Sequence, residues 1–411
     1  MPQDHCSTPH STLNEERSES QKELWKQELL QSFTEISTLV EKQILSPAEA
    51  KKLESSGQEN PYKIRITPYY AGLMSASSDC PIRKQAIPAL GEADPLLPEW
   101  ASHWSQQIYK RPNPWHADAI GDLKNLAAPR ITHRYQSRAI LHLSSMCAVY
   151  CRFCFRKSHL NDEERTLYEG SLEPAFQYLE RSTTISELIL TGGDPLSVAD
   201  SAILRLLERI SRISHIKTLR IHSRMAVTLP CRFTPSLLSL LGQDWNFNII
   251  LVSHYNHPRE LSPEALSTLQ RLKKKGVTLL NQAVLLRGVN NEATTLEALF
   301  RGLYQAGVIP FYLHHPDWTP GTFHFRVSIE EGQSILSQLR GVLPGPALPD
   351  YILDIPQGYG KVSLLDPRVR KIQHVQDSIL SGALYEVPTP STRFQNEKSH
   401  RYLDLSFRHS R

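Results

Sequence analysis

The chain has no apolar run close to the 18 residues that a membrane-spanning helix requires. It also contains no apolar segment of the kind that forms the centre of a secretory signal peptide. Both absences argue against a membrane-bound or secreted protein. They predict a cytoplasmic protein that works in a reducing compartment.

Charge of one sign is not in large excess either. The 411 residues include 46 basic and 42 acidic side chains, which give a formal net charge of +4. Because this balance creates no strong overall field, we expect no nucleic-acid partner. The basic tail from Arg393 to Arg411 is predicted to be a solvated terminus.

Cysteine is scarce, with six residues in the whole chain. Cys6, Cys80 and Cys231 are isolated in sequence and predict no disulfide framework. No cysteine follows Cys231. A zinc site built from cysteines is therefore not expected near the C-terminus.

The other three cysteines, Cys147, Cys151 and Cys154, have the spacing C-x3-C-x2-C. Three thiolates in one loop can hold a [4Fe–4S] cluster and leave one iron open for another ligand. Zinc is the alternative, but zinc sites usually combine two C-x2-C pairs or add histidines at matching spacing. The sequence has no second pair. The spacing resembles the radical S-adenosylmethionine superfamily, in which S-adenosylmethionine binds the open iron.

The first 130 residues are predicted to form a mostly helical lead-in. About the first 20 of them are polar and predicted to be disordered. Helical spacing of apolar residues then runs from Gln21 to about Glu54. Within it, Ser46 followed by Pro47 predicts the start of a helix.

After residue 130, short apolar runs alternate with helical stretches, which predicts an α/β fold with a parallel sheet. The predicted strands are residues 139–143, 187–190, 218–221, 248–252, 278–280 and 309–313. We assign this array to residues 131–340 and a C-terminal region to 341–411, with 344–356 as a linker. Ligand loops follow the C-terminal ends of parallel strands, so the cysteine loop, 191–195 and 222–224 are expected on one face.

Two features of these loops suit S-adenosylmethionine. Gly192, Gly193 and Asp194 end a predicted strand in a turn where the absence of Cβ lets the backbone approach a ligand. Such turns are common, but this one follows the cysteine loop by one βα unit and is a candidate for the methionine amino group. Phe153 lies where an aromatic ring can pack on adenine; the alternative is a core phenylalanine.

Several segments together resemble the lysine 2,3-aminomutase family. They are the cysteine loop with Arg156, the turn at 191–196, residues 219–224 and residues 280–290, within a similarity that runs from about Thr132 to Lys361. The resemblance implies a partial (βα)6 TIM-like barrel, S-adenosylmethionine as the radical source and pyridoxal 5'-phosphate as a second cofactor. It also implies that Gln282 lies near S-adenosylmethionine.

The resemblance further assigns the pyridoxal phosphate site. Lys361, in a glycine-bearing loop, matches the lysine that binds the coenzyme covalently, and a desolvated lysine is nucleophilic. Arg134 and Arg138 match arginines upstream of the cluster and are candidate phosphate ligands, because guanidinium groups suit phosphate. The alternative for these two arginines is a pair of solvated charges.

Three charges bear on the substrate. Arg156 matches the arginine that holds the amino-acid carboxylate. Asp317 lies seven residues before His324, and Asp354 lies seven before Lys361, both at the family's spacing. Two converging carboxylates need a cation between them. The ammonium of a lysine side chain supplies that cation, whereas a glutamate side chain would be repelled.

The sequence therefore predicts an isomerase that converts L-lysine to β-lysine, either for free-lysine metabolism or for modification of elongation factor P. Arginine or glutamate aminomutase activity and a noncatalytic iron–sulfur protein are the alternatives. An electron donor such as flavodoxin or ferredoxin is implied, together with a possible homo-oligomer.

Overall fold

The computed structural model of the chain describes residues 24–55, 62–92, 94–160, 166–390, 392 and 398–407. The predicted disorder of about the first 20 residues lies outside this part of the chain. Within the described residues, no helix combines the length and apolar character needed to cross a bilayer.

Among the described residues, six α-helices precede the main sheet, in keeping with a mostly helical lead-in. They are α1 (24–30), α2 (Ile36–Glu41), α3 (Pro47–Ser55), α4 (Pro68–Gly72), α5 (Pro81–Lys84) and α6 (Glu99–Tyr109). The predicted helical pattern over 21–54 is interrupted around Phe33, which pairs with Ile66 through backbone hydrogen bonds. The start at Ser46 is confirmed: its hydroxyl accepts from Glu49 N at 3.2 Å, and its own backbone N–H donates to the Glu49 carboxylate at 2.9 Å.

The main sheet has ten strands that follow one another in chain order. They are β1 (Leu126–Ala128), β2 (Ile131–Tyr135), β3 (Arg138–Ser144), β4 (Glu187–Gly192), β5 (Thr218–His222), β6 (Asn248–Ser253), β7 (Thr278–Val284), β8 (Ile309–His314), β9 (Asp350–Ile355) and β10 (Gly360–Ser363). The strands from β3 to β9 are all parallel to their neighbours, whereas β1–β2, β2–β3 and β9–β10 are antiparallel pairs.

The strands from β3 to β8 coincide with the six predicted strands, so the α/β prediction is confirmed. The connecting helices are α7 (Glu173–Arg181), α8 (Asp200–Ser211), α9 (Met225–Thr228), α10 (Pro235–Leu241), α11 (Pro263–Lys274), α12 (Ala293–Gln305) and α13 (Ile329–Arg340). Apolar residues three and four apart on α8, such as Ile203, Leu206, Leu207 and Ile210, are buried in the shared core.

The prediction of a linker over 344–356 is wrong. Residues Asp350–Ile355 form β9, which pairs in parallel with β8, and all of them except Asp350 are buried. Pro344 and Pro356, the bounds of the predicted linker, lie outside the strand, and Pro356 follows it directly. The sheet therefore continues past the predicted boundary at residue 340.

The solvated terminus predicted for the basic tail is also wrong over the residues described there. Ser399–Phe407 form β13 in a three-stranded antiparallel sheet with β11 (Arg370–Gln376) and β12 (Leu380–Pro388). Asp404 on β13 is buried, accepts from Ile329 N at 2.8 Å and pairs with Arg326. Five consecutive residues of β13, 402–406, are buried, and this burial holds the strand in the fold despite the basic composition that suggested a free tail.

Candidate active site

One cavity of about 520 Å³ opens among the C-terminal ends of the parallel strands. All the site residues predicted from the sequence line it: Arg134, Arg138, Cys147, Cys151, Phe153, Cys154, Arg156, Gly192, Gly193, Asp194, Gln282, Asp317, Asp354 and Lys361. The sheet thus brings together groups that lie more than 200 residues apart in the sequence.

The cysteine loop follows β3 directly and presents three free thiols to the cavity. Burial raises the pKa of the Cys147 thiol. Burial and the neighbouring Cys151 together raise the pKa of Cys154 to about 11. Among the described residues, no three His, Cys, Asp or Glu side chains are grouped to hold a single metal ion. A cluster takes its thiolates at separate irons.

Arg224, which follows β5, holds the cysteine loop from the side. Its guanidinium donates to Cys151 Sγ at 2.8 Å, to Glu260 Oε1 at 2.7 Å and to Gln85 Oε1 at 2.6 Å. The sequence marked the segment 222–224 but assigned Arg224 no role. Its partners come from separate parts of the chain, so sequence spacing gave no sign of the interaction.

The glycine turn after β4 packs against the cysteine loop. A Cβ on Gly193 would lie 2.6 Å from Met146 O, and Gly193 N donates to Ser144 O at 2.6 Å. Gly192 has φ +123°, a conformation that favours glycine. The two glycines thus allow a close approach to the loop backbone, in addition to lining the cavity.

Asp194 ends the same turn, and its carboxylate accepts hydrogen bonds from other residues of the protein. Its carboxylate accepts from Leu196 N, Ser223 Oγ and Arg224 N at 2.7–3.0 Å. Burial raises its pKa to about 6, and these hydrogen bonds act in the opposite direction. Asp194 therefore ties the turn after β4 to the turn after β5.

Phe153 lines the cavity within a small apolar cluster with Leu286, Val289 and Phe325. Its ring centre lies 5.4 Å from that of His254 and 5.3 Å from the Arg224 guanidinium carbon. Gln282 reaches the cavity from β7. An apolar wall beside polar groups suits a nucleoside, whose base is flat and whose sugar is polar.

Arg156 is buried and already has a carboxylate partner. Its Nε and Nη2 donate to Asp122 Oδ2 at 3.0 and 2.8 Å, and its Nη1 donates to Thr191 Oγ1 at 3.2 Å. Burial alone would raise the pKa of Asp122, but Arg156 and other nearby charges hold it at about 2. Sequence reasoning missed Asp122, which sets the orientation of Arg156.

The two other predicted arginines have different surroundings. Arg134 is buried, donates to Ile120 O at 2.5 Å and lies 3.8 Å from Asp354 Oδ1. Arg138 stacks on the Tyr135 ring, with 3.8 Å between its guanidinium carbon and the ring centre. Both therefore present cationic groups to one side of the cavity.

Lys361 lies on β10, not in the flexible loop that the sequence suggested. It is the register partner of Asp354 on β9, and its ammonium forms an ion pair with that carboxylate. The tight connection has Gln357 at φ +64° and Gly358 at φ +86°, and a Cβ on Gly358 would lie 2.5 Å from Asn125 Nδ2. A close hairpin, rather than a mobile loop, explains the seven-residue spacing of Asp354 and Lys361.

The charge of Asp354 affects the pKa of Asp317, and the charge of Lys361 affects the pKa of both aspartates. Burial and the negative charge of Asp354 raise the pKa of Asp317 to about 8. Burial would also raise the pKa of Asp354, but Lys361, His314 and Arg134 keep it well below its usual range. His314, which sequence reasoning missed, lies 3.4 Å from Asp354. The ammonium of Lys361 thus provides the cation that the carboxylate pair requires.

Buried polar atoms without a hydrogen-bond partner test whether this cavity fits bound cofactors. Within the described part of the chain, five such atoms belong to residues that line it: Arg134 Nε, Arg220 Nε, His222 Nε2, His254 Nε2 and Asp354 Oδ1. Of these, Arg220 Nε lies in an ion pair, 2.8 Å from Glu187 Oε1. Because unsatisfied buried groups are rare in folded proteins, the other four atoms fit polar ligands. The thiols, arginines and Lys361 are the donor types that an iron–sulfur cluster and a phosphorylated aldehyde require.

Comparison with known proteins supports the same chemistry. Residues 137–226 match the family of 4Fe-4S single cluster domains. The chain is 34% identical to the L-lysine 2,3-aminomutase of Fusobacterium nucleatum over 74% of this chain and 67% of that protein. It is 29% identical to the glutamate 2,3-aminomutase of Clostridioides difficile over 83% of this chain and 76% of that protein.

The crystal structure of Streptococcus suis SuiB bound to S-adenosylmethionine covers 53% of this chain and 50% of its own, with 13% identity and a TM-score of 0.39. The cluster-domain match and the aminomutase relatives support the three cofactors predicted from the sequence, namely a [4Fe–4S] cluster, S-adenosylmethionine and pyridoxal phosphate. The prediction of an enzyme of the isomerase class is confirmed by these relatives. The chain belongs to the lysine 2,3-aminomutase family.

Proposed function

We propose that the chain is an L-lysine 2,3-aminomutase that moves the α-amino group of lysine to C3 and so forms β-lysine. The observation that carries this proposal is the pair of carboxylates, Asp317 and Asp354, that line the cavity together with Lys361, whose ammonium pairs with Asp354. The site therefore already accommodates a primary ammonium. A lysine substrate brings another, which can occupy the same carboxylates when Lys361 is engaged elsewhere.

The end of the cavity formed by the cysteine loop is proposed to bind S-adenosylmethionine. Cys147, Cys151 and Cys154 hold the cluster, while Gly192, Gly193 and Asp194 form the turn beside the methionine amino group. Phe153 and Gln282 contact the nucleoside. When bound, these cofactors and pyridoxal phosphate supply a carbon-centred radical and an aldehyde for the substrate amine.

The opposite end is proposed to bind pyridoxal phosphate and substrate. Lys361 binds the aldehyde carbon, and Arg134 and Arg138 neutralise the phosphate. Arg156, oriented by Asp122, binds the substrate carboxylate at one end of the molecule. Asp317 and Asp354 bind its side-chain ammonium at the other end. The distance between Arg156 and the two aspartates therefore selects substrates by their length.

The architecture is proposed to be the partial (βα)6 barrel of the family, built on β3–β8. Residues 1–130 are proposed to be a helical lead-in, 131–340 the barrel, and 341–411 the region that supplies Lys361. An electron donor such as flavodoxin or ferredoxin is proposed to reduce the cluster. The product is proposed to serve elongation factor P modification or lysine metabolism.

Glutamate is the second candidate substrate because one relative is a glutamate 2,3-aminomutase. The carboxylates at 317 and 354 oppose it, since a third carboxylate would be repelled. Arginine carries a cation that can use the same pair, but its guanidinium is larger and requires a forked partner.

The proposal is tested by assaying the anaerobically reconstituted protein with lysine, arginine and glutamate, followed by chiral analysis of any β-amino acid. We expect β-lysine as the main product. A preference for glutamate, or turnover of none of the three by a protein that contains cluster and coenzyme, would contradict the proposed function.

A further inference from the structure

The loop after β8 carries Asp317 and packs against the C-terminal strand β13. Trp318, the residue after Asp317, donates from Nε1 to Leu403 O at 3.1 Å. His315, two residues before Asp317, has its ring centre 5.9 Å from that of Tyr402. The strand therefore contacts the chain on both sides of Asp317, although none of the residues of β13 lines the cavity.

Arg326 joins the same loop to β13. Its side chain is 1% exposed, and its guanidinium carbon lies 3.6 Å from the centre of the Trp318 ring. Nη1 donates at 2.6 Å to the carbonyl oxygen of Pro316, the residue before Asp317, and Nε donates to Leu405 O at 2.9 Å. One buried guanidinium thus bonds to the loop on one side and to the strand on the other.

Two side chains of β13 fix the position of Arg326. Its Nη2 donates to Tyr402 Oη at 2.8 Å and to Asp404 Oδ1 at 3.2 Å. The other carboxylate oxygen of Asp404 accepts at 2.8 Å from the backbone N–H of Ile329, the first residue of α13. Because a guanidinium is a planar fork of five donors, several partners at once fix both its place and its direction.

Arg326 acts on Asp317 from outside the cavity. It is not among the residues that line the cavity, so it does not contact a ligand bound there. Burial and Asp354 raise the pKa of Asp317, whereas the positive charges of Lys361 and Arg326 lower it. The donors of Arg326 are directed at the loop and the strand, which is the arrangement of a residue that holds Asp317 in place.

We propose that Arg326, held by Tyr402 and Asp404 of β13, is a positioning residue that sets where Asp317 meets the side-chain ammonium of the substrate. The proposal rests on the proposed function, because Asp317 must be a substrate ligand. The C-terminal strand then takes part in substrate selection without contributing a residue to the cavity.

Position matters because the ammonium must meet Asp317 at a defined distance from the proposed carboxylate ligand, Arg156. A misplacement of about 1 Å can weaken a productive contact by roughly 100-fold. Ornithine is one methylene shorter than lysine, so it depends less on the exact place of Asp317. A loss of positioning should therefore reduce the preference for lysine over ornithine.

The test compares two buried tyrosines of the C-terminal sheet. Tyr402 and Tyr385 are register partners on β13 and β12. Only Tyr402 is hydrogen-bonded to Arg326, whereas Tyr385 Oη has no hydrogen-bond partner in the described part of the chain. Tyr385→Phe is therefore the matched control for Tyr402→Phe, and Arg326→Lys is the stronger variant.

Wild type and the three variants are prepared anaerobically with cluster and pyridoxal phosphate. Calorimetric titration gives the Kd for lysine and for ornithine without S-adenosylmethionine, so that no turnover occurs. A separate titration gives the Kd for S-adenosylmethionine, and circular dichroism checks that each variant folds.

We expect Tyr402→Phe to weaken lysine binding about fivefold and ornithine binding much less, because Arg326 loses one hydrogen bond and keeps the others. Arg326→Lys should weaken lysine binding about 50-fold, since an ammonium cannot bond to Pro316 and β13 in the same fork. Tyr385→Phe should bind lysine like wild type, and all four proteins should bind S-adenosylmethionine equally. In steady-state assays the KM for lysine should rise in the same order, with kcat nearly unchanged.

The positioning role would be overturned, with the proposed function intact, if Tyr402→Phe kept the wild-type preference for lysine or if Tyr385→Phe lost it equally. Equal losses for lysine, ornithine and S-adenosylmethionine would also overturn it, because they would indicate a general loss of structure. Tyr402→Phe decides alone if Arg326→Lys does not fold. A wild-type protein that neither binds nor converts lysine would overturn the proposed function and the positioning role with it.

Discussion

At the cysteine end of the cavity, Arg224 and Asp194 make their hydrogen bonds to the protein itself, whereas at the β8–β10 end Lys361, Asp354 and Asp317 mainly balance one another's charge. Arg224 and Asp194 each contact at least three partners. In contrast, Asp354 Oδ1 has no hydrogen-bond partner among the described residues. The hydrogen bonds at the cysteine end are thus already formed within the protein. The charges at the β8–β10 end, in contrast, suit the exchange of one cationic group for another.

The comparison suggests how the two ends work in sequence. The hydrogen bonds of Arg224 and Asp194 beside the cysteine loop would keep the proposed cluster ligands in place before any ligand arrives. At the other end, the proposed binding of the coenzyme by Lys361 would remove a cation from two carboxylates that cannot both remain buried and charged alone. The substrate ammonium restores the balance. Occupation of Lys361 thus favours the next binding event.

The largest effect should come from Lys361→Ala. We expect loss of pyridoxal phosphate binding and of all aminomutase activity, because no other lysine replaces the covalent bond at that position. The cluster should remain. Absorbance spectra of the anaerobic protein measure both groups at once, since the coenzyme and the cluster absorb differently.

Lys361→Arg is the matched control. It retains a cation beside Asp354 but cannot bind the aldehyde in the same way. If the arginine variant folds like wild type and is still inactive, the role of Lys361 in catalysis is separate from its role as a counter-ion. Activity in either variant would remove Lys361 from the proposed mechanism.

The next largest effect should come from Asp122→Asn. This change removes the anionic partner of a buried guanidinium, so we expect a loss of about 3 kcal/mol in the free energy of unfolding. It should also raise the KM for lysine more than it lowers kcat, because Arg156 loses its orientation. Denaturant unfolding and steady-state kinetics measure the two effects. Unchanged stability would show that Asp122 is dispensable to Arg156.

Asp354→Asn should weaken lysine binding about 100-fold, as expected when one member of a buried charge pair is neutralised. Binding of S-adenosylmethionine should be unaffected, because its proposed site lies at the cysteine end. Calorimetric titration with each ligand separates the two ends. Equal losses for both ligands would show that the two ends are not independent.

The sequence predicted part of the fold and of the candidate site, and the contacts of individual residues explain which part. The strands β3–β8 were predictable because each is a continuous apolar run, and Lys361 and Asp354 were identified by their spacing in a family motif. Strand β9 was not predictable, because prolines flank it and Asp354 interrupts its apolar residues. Asp122, Arg224 and His314 were missed because their partners are distant in sequence; Asp122 and Arg156, for example, are 34 positions apart.

The smallest effect expected is a pH dependence of lysine affinity. The pKa of Asp317 is raised to about 8 by burial and by Asp354, so the carboxyl is largely protonated at pH 6 and ionised above pH 8. A cationic substrate prefers the ionised form, and its binding releases the proton. We therefore expect the KM for lysine to fall about tenfold from pH 6 to pH 8. Bound coenzyme strengthens the trend, because Lys361 lowers this pKa when its ammonium is present. Asp317→Asn should give a flatter profile, and a profile as steep as that of wild type would assign the titration to another group.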